Sequence, residues 1–223
     1  LHEVNLTLDE RMTVITGPNG SGKSTLAKII MGILKPTGGK IYLDGVDITE
    51  MSVTDRAKNG ISFAFQQPVK FKGITVTDLI EIASGKKLSV SEICKYLSEV
   101  GLCARDYVNR EVNGSLSGGE LKRIEIAVTL ARGSKFTIFD EPEAGIDLWS
   151  FNSLISVFEK LAEDHSESIL IISHQERILN IADRIIVIAD GKVAKDGLKE
   201  EVLPNILSAS SACAILENKV KEA

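Results

Sequence analysis

Polar and apolar residues alternate at Val4, Leu6 and Leu8, and the alternation gives way to an apolar run, Met12, Val14 and Ile15, that ends at Gly17. A period of two followed by such a run predicts a hairpin arm feeding a strand buried on both faces. The spacing then changes. Leu26, Ile29, Ile30 and Ile33 recur at helical intervals, predicting a helix over 24–34 with its stop at Lys35-Pro36 and Gly38-Gly39. Residues 41–43 followed by Asp44-Gly45 read as a strand and a turn. From about 75 to 113 the pattern is helical, with Leu79, Ile80 and Ile82 in one helix and Ile93, Leu97 and Val100 in another, and this stretch reads as an inserted helical lobe. Strand-like runs return at 136–139, 169–172 and 185–188, separated by helical stretches over 118–132 and 150–163. Strands alternating with helices predict a parallel sheet with crossover connections.

With 223 residues, 43% of them hydrophobic, the chain has the material for one large α/β domain. The pattern divides it into a core over 1–74 and 114–204, the helical subdomain over 75–113, and a C-terminal helix or tail over 205–223. The formal charge is −5 and no segment is strongly basic, so composition motivates no nucleic-acid partner. Cys94, Cys103 and Cys213 lie far apart without CxxC spacing, which fits a reducing compartment. No apolar run approaches the roughly 18 residues of a spanning helix. The expectation is a cytoplasmic protein without a signal peptide, whose natural start is not Leu1.

Gly17-Pro18-Asn19-Gly20-Ser21-Gly22-Lys23-Ser24-Thr25 fits G-x-x-x-x-G-K-[ST] between a strand and a helix, the context that pattern requires. Glycines let successive backbone N–H groups converge on an anion at a helix N-terminus, where the helix dipole also favours negative charge. Lys23 is expected to reach the β- and γ-phosphates of ATP, and the Ser24 hydroxyl to hold Mg²⁺. The run 136–139 ends in Asp140-Glu141. Adjacent side chains at a strand end diverge, so the two acids can divide labour: Asp140 for Mg²⁺, Glu141 as general base toward the attacking water.

A second glycine-rich helix start, Leu116-Ser117-Gly118-Gly119-Glu120, follows 94 positions after Lys23. Its Ser117 hydroxyl and the Gly118 and Gly119 amides make another anion-binding helix tip, and Glu120 stands at the capping-box position. Here the chain resembles the ATP-binding cassette (ABC) ATPases, in which Leu-Ser-Gly-Gly caps the γ-phosphate bound to the opposite subunit. The resemblance implies a P-loop NTPase core with flanking helices, an antiparallel β arm and an inserted helical subdomain. It also implies a head-to-tail dimer formed on ATP. Three further elements match in order: Gln66 in Phe63-Ala64-Phe65-Gln66 as the glutamine that touches Mg²⁺, Asp147 in Ala144-Gly145-Ile146-Asp147 as the loop crossing the dimer interface, and His174 as the switch histidine at the γ-phosphate. Taken alone, Asp147 also reads as a helix N-cap and His174 as a structural residue.

Within that family the chain looks most like the cytosolic ATPase of the SUF iron–sulfur cluster assembly machinery. The matching residues are Asp55-Arg56-Ala57, Gly60-Ile61, Ala64-Phe65-Gln66 with Pro68-Val69, Lys122-Arg123, and the run from Glu141 through Pro142 and Glu143 to Asp147. That implies a soluble scaffold partner. Ala144, Leu121 and Gln175 depart from the subfamily pattern, standing where Ser, Lys and Tyr are frequent. No Phe, Tyr or Trp precedes Tyr42, so the family's adenine-stacking aromatic has no counterpart ahead of the P-loop. Two alternatives stand beside this reading: the nucleotide-binding subunit of a membrane transporter, docked on a permease, and a structural or DNA-repair cassette. The last is disfavoured, because the interval from Lys23 to Ser117 holds no sustained heptads.

Overall fold

The computed structural model describes residues 1–163 and 167–208. In chain order the elements are β1 (Met12–Thr16), α1 (Lys23–Met31), β2 (Tyr42–Leu43), β3 (Val46–Asp47), α2 (Val53–Lys58), β4 (Ile61–Ala64), α3 (Val76–Ser84), α4 (Val90–Glu99), α5 (Ala104–Tyr107) and α6 (Gly118–Arg132). They continue with β5 (Phe136–Asp140), α7 (Leu148–Glu163), β6 (Ser168–Ile172), α8 (Glu176–Ile181), β7 (Arg184–Ala189) and β8 (Lys192–Leu198). Residues 199–208 are helical and form α9.

Six strands make one sheet in the order β4-β5-β6-β1-β7-β8, parallel except for the β7–β8 pair. The predominantly apolar strands follow from this position, since helices cover both faces of such a sheet. Alternation within β1 divides the core. Met12 and Val14 pack with Phe139, Ile171 and Ile185 on one side, and Ile15 packs with Ile138, Ile172, Ile186 and the α1 residues Leu26 and Ala27 on the other. A slip of one residue in β1 would exchange these faces, so the register with β6 and β7 is tightly specified. The consequence is positional: β1, β5 and β6 all end at the same edge, where Gly17, Glu141 and Ser173 follow.

The hairpin arm expected from the alternation at Val4, Leu6 and Leu8 does not form, although the buried strand it was to feed does, as β1. Val4, Leu6 and Leu8 are half-buried against the α1 side of the core, but no strand ladder runs through them, and a cavity of about 510 Å³ lies between them and Ile41, Tyr42 and Leu43. The antiparallel pairing in this region is the short β2–β3 hairpin, extended by Ile48 N–H donating to the Ile41 carbonyl. Alternation describes which side chains are wetted and cannot say whether a neighbouring strand is in reach. The expected end of the first helix also moves. Gly32 closes α1 at φ 82°, with its N–H bonded to the Ile29 and Lys28 carbonyls, three residues before Lys35-Pro36. The 204/205 division falls inside α9, and 209–223 lie outside the described residues.

The stretch 75–113 contains α3, α4 and α5, and its two ends are zipped together. Val76 N–H donates to the Arg110 carbonyl, and Val112 N–H to the Ile74 carbonyl. Ile80, Ile93 and Leu97 then pack with Ile124 and Leu121 of α6, so the insert is cemented to the helix that follows it.

Arg56, only 1% exposed, anchors the other end of the core. Its guanidinium donates to the Ile29 and Ile30 carbonyls at the end of α1 (2.7 Å each), to Thr49 (2.7 Å) and to Met51 (3.2 Å). Five fixed donors in one plane suit a cluster of backbone acceptors that otherwise lack water. Arg56→Met keeps the stem and leaves those carbonyls short of donors, so we expect a loss of about 2–4 kcal/mol in urea unfolding.

Candidate functional site

Between β1 and α1 the chain makes a cradle that other residues could not form. Gly17 has φ 136°, and a Cβ there would lie 2.0 Å from the Ile188 carbonyl oxygen; Gly20 and Gly22 have φ 79° and 104°. Gly22 is the N-cap of α1, and no side chain caps that end, so the first-turn N–H groups face the loop. The Ser21 hydroxyl is buried and has no hydrogen-bond partner among the described residues. Lys23 is 5% exposed and its ammonium donates to the Gly17 (2.8 Å) and Pro18 (2.9 Å) carbonyls, closing over the loop. Pro18, Asn19, Gly20 and Thr25 are exposed around this rim. A free helix start, an orphan hydroxyl and a buried cation together make a site for a polyphosphate.

Ser24, one residue into α1, donates its hydroxyl to Asp140 Oδ1 at the end of β5 (2.9 Å). Burial pushes the Asp140 carboxyl above the usual carboxylate range, with the Ser24 bond opposing. A hydroxyl and a carboxylate side by side beneath a phosphate cradle are hard oxygen donors of the kind a small divalent cation takes. Glu141 follows with φ 45°, a left-handed backbone that a non-glycine residue adopts only when its surroundings enforce it. Here its N–H is held by the Ile172 carbonyl (2.9 Å), and its carboxylate accepts from the Gln66 amide. Gln66 reaches it from the exposed loop after β4.

A third acid, Glu143, was missed as a site residue by sequence reasoning. Burial raises its pKa; one oxygen accepts from the Ser173 hydroxyl (2.5 Å), and the other has no partner among the described residues. Ser173 in turn accepts from the Gln175 N–H (3.0 Å), and its own N–H donates to the Ile15 carbonyl (3.1 Å). His174 stands exposed between them.

The second glycine-rich segment begins α6, whose N-cap is Ser117. Its hydroxyl accepts from the Glu120 N–H, and the Glu120 carboxylate accepts from the Ser117 N–H (2.6 Å), completing a capping box. Tyr107 (2.5 Å) and Arg110 (3.2 Å) hold the same carboxylate. Gly118 and Gly119 sit in tight surroundings: a Cβ would meet the Gly145 carbonyl at 3.0 Å and the Ser150 hydroxyl at 3.1 Å, so a neighbour would have to give way. Asp147 accepts from the Ser150 N–H (3.0 Å) and hydroxyl (2.8 Å), as an N-cap does, so its cap geometry and its position against Gly119 coexist. The predicted residues other than His174 thus gather into two clusters. Gly17–Thr25, Gln66, Asp140 and Glu141 form one; Ser117, Gly118, Gly119 and Asp147 form the other.

A P-loop beside an Asp-Glu strand end, with a second anion-binding helix tip on the same chain, defines an ATP-binding cassette. The chain belongs to the ABC transporter family: residues 1–144 match the family profile of that description. It is 41% identical over 211 residues to the "Uncharacterized ABC transporter ATP-binding protein MJ0035" of Methanocaldococcus jannaschii, covering 91% of this chain and 84% of that one. It is 34% identical over 215 residues to the "Energy-coupling factor transporter ATP-binding protein EcfA2" of Clostridium acetobutylicum, covering 92% and 75%. Among solved structures it superposes on the ATP-binding cassette MJ0796, a dimer in a post-hydrolysis state bound to ADP and Pi, with TM-score 0.77 and 27% identity over 88% of this chain and 89% of that one. The chain is an ABC ATPase.

The Glu120 carboxylate is lowered from the ordinary 4.5 to about 2, chiefly by the Tyr107 hydroxyl, with Ser117 and Arg110 adding to it. A lowered folded-state pKa stabilises above the unfolded value and loses that contribution as pH falls through the folded one. The stability gap between the native chain and Glu120→Gln, read from urea midpoints, is therefore expected to be full above pH 4.5 and to shrink steadily toward pH 2.

Proposed function

We propose that this chain binds ATP with Mg²⁺ at Gly17–Thr25 and hydrolyses it when two copies close head to tail, driving a partner through the opening and closing of the pair. The observation that carries the reading is the Ser24–Asp140 hydrogen bond under the glycine cradle, which joins a hydroxyl and a carboxylate where a phosphate-bound cation needs oxygen ligands. When bound there, Mg²⁺ supplies charge neutralisation to the β- and γ-phosphate oxygens. Lys23 exchanges its bonds to the Gly17 and Pro18 carbonyls for the β- and γ-phosphates. Glu141 accepts the proton of the attacking water, a step that requires its carboxylate to leave the Gln66 amide. Gln66 then turns toward the metal, and His174 contacts the γ-phosphate.

Ser117, Gly118 and Gly119 serve the nucleotide of the other copy, with Asp147 at the interface. Their helix tip packs on residues 145–150 of its own chain, and two-fold pairing would present it to a second cradle. ATP then binds the closed pair in preference to the open one, and its hydrolysis removes that preference.

For the partner, the descriptions of the relatives favour a membrane permease, with this chain as the nucleotide-binding subunit on the cytoplasmic side. Among the described residues no helix is long and apolar enough to cross a membrane. A groove of about 230 Å³ beside Gln66, lined by Phe65, Pro68, Val69, Phe71, Leu79 and Ala83, suits a coupling helix. A second reading, a soluble SUF-type scaffold, rests on the motif resemblance at Asp55-Arg56-Ala57, Gly60-Ile61, Ala64-Phe65-Gln66 with Pro68-Val69, Lys122-Arg123 and the run from Glu141 to Asp147.

Lys23→Ala is expected to abolish hydrolysis, and unimpaired turnover in that variant would refute the phosphate assignment. Glu141→Gln is expected to hold a dimer in ATP-Mg²⁺ by light scattering; a monomer at saturating nucleotide argues against pairing. Affinity capture from the host separates the partners: a polytopic membrane protein supports the permease reading, a soluble β-rich scaffold the other.

A further inference from the structure

An ion pair built on a buried lysine lies outside both clusters. Lys122, in the second turn of α6, is 1% exposed, and its ammonium pairs with Glu125 Oε2 (2.8 Å) on the same helix. That pairing satisfies one of the three ammonium donors and leaves the others to be met by any acceptor nearby. Yet each also grips the backbone of a single distant residue: Lys122 donates to the Phe65 carbonyl, and Glu125 Oε1 accepts from the Phe65 N–H (3.1 Å). Both polar groups of that peptide segment are consumed by α6.

Phe65 is the residue before Gln66, and its ring does not anchor the segment in the core. The ring is 41% exposed and only leans edge-on against Phe63, with centroids 4.7 Å apart. What fixes the backbone here is the Lys122–Glu125 pair. The next residue, Gln66, holds the Glu141 carboxylate. A continuous path therefore runs from the Ser117 cap along five residues of rigid helix to Lys122, across to Phe65, and through Gln66 to Glu141.

We propose that Lys122 and Glu125 are positioning residues that carry movement of α6 to Gln66, so that engagement of Ser117 by the other copy's nucleotide withdraws Gln66 from Glu141 and readies this chain's own site. The proposal rests on the ATPase pairing argued above. It makes the two sites of a pair interdependent, because the helix tip that caps one nucleotide also controls the base that attacks the other.

The test is a double-mutant cycle on the whole chain, with Glu125→Gln, Gln66→Ala and the double variant assayed for steady-state ATP hydrolysis. Glu125→Gln is expected to lower kcat roughly tenfold with KM within roughly twofold, and to bring the Hill coefficient from about two toward one. In the Gln66→Ala background the same substitution should change kcat by less than about twofold, since the path is already cut. Full, multiplicative losses in both backgrounds overturn the proposal, as does an unchanged kcat. Amide hydrogen exchange on the unsubstituted sequence gives a readout independent of variant folding. Exchange at the Phe65 amide should be slow without nucleotide and shift by roughly tenfold or more on adding ATP-Mg²⁺; indifference to ATP at this amide overturns the link. An unsubstituted chain that binds ATP but never hydrolyses it would instead overturn the hydrolysis reading, leaving the exchange result to decide the coupling.

Discussion

The hydrogen bond from Ser24 to Asp140 joins the first turn of α1 to the tip of β5, two points separated by 116 positions in the chain. That bond exists only because β1 and β5 end at the same edge of one sheet, each bonded to β6 between them. Parallel strands emerging from a common edge are the topology in which open α/β sheets collect ligands, and both loops here leave that edge. The glycine cradle, the acid pair and the Ser173–His174 turn are three products of one register.

Satisfying polar groups costs more design than burying apolar ones in this molecule. Arg56 closes the carbonyl end of α1, Glu120 closes the N–H end of α6, and the Lys122–Glu125 pair closes the backbone at Phe65. Each is an ionic side chain bonded to backbone groups at the end of a helix or strand. Losing one partner of such a set leaves the rest uncompensated. The start of α1 is the contrast. It has no side-chain cap, its Ser21 hydroxyl is unpartnered, and Lys23 satisfies itself on loop carbonyls. The short helices α5 and α8 also start without a side-chain cap; what sets α1 apart is the orphan Ser21 hydroxyl and the buried Lys23 beside that start, the composition of a site awaiting an anion.

Glu141 carries the other local tension. Its left-handed backbone is imposed from both sides, by Ile172 accepting its N–H and by its own carbonyl accepting from the Ala144 N–H. The strain aims its side chain away from Asp140 and toward Gln66, so the two adjacent acids separate into one that faces Ser24 and one that faces the loop after β4.

Much of this was legible in the residues themselves. Apolar runs of strand length marked β1, β5, β6 and β7, because a strand covered on both faces is predominantly apolar. Gly17–Thr25 and Ser117–Gly119 declared their chemistry, because few side chains but glycine permit a backbone to wrap an anion. Tertiary structure decided the rest. Val4, Leu6 and Leu8 alternate as a strand does and form none, since pairing depends on a neighbour's distance, which periodicity does not encode. Nothing in the sequence marked Lys122 and Glu125 as a pair with a role; only the fold brings Phe65 against them, burying Lys122 and giving both a shared partner. Glu143 likewise acquires its partner from Ser173, 30 positions away. Residue type and short spacing determine what a segment can bind, whereas the burial of a charge, and the backbone it must then satisfy, are properties of the assembled sheet and its packed helices.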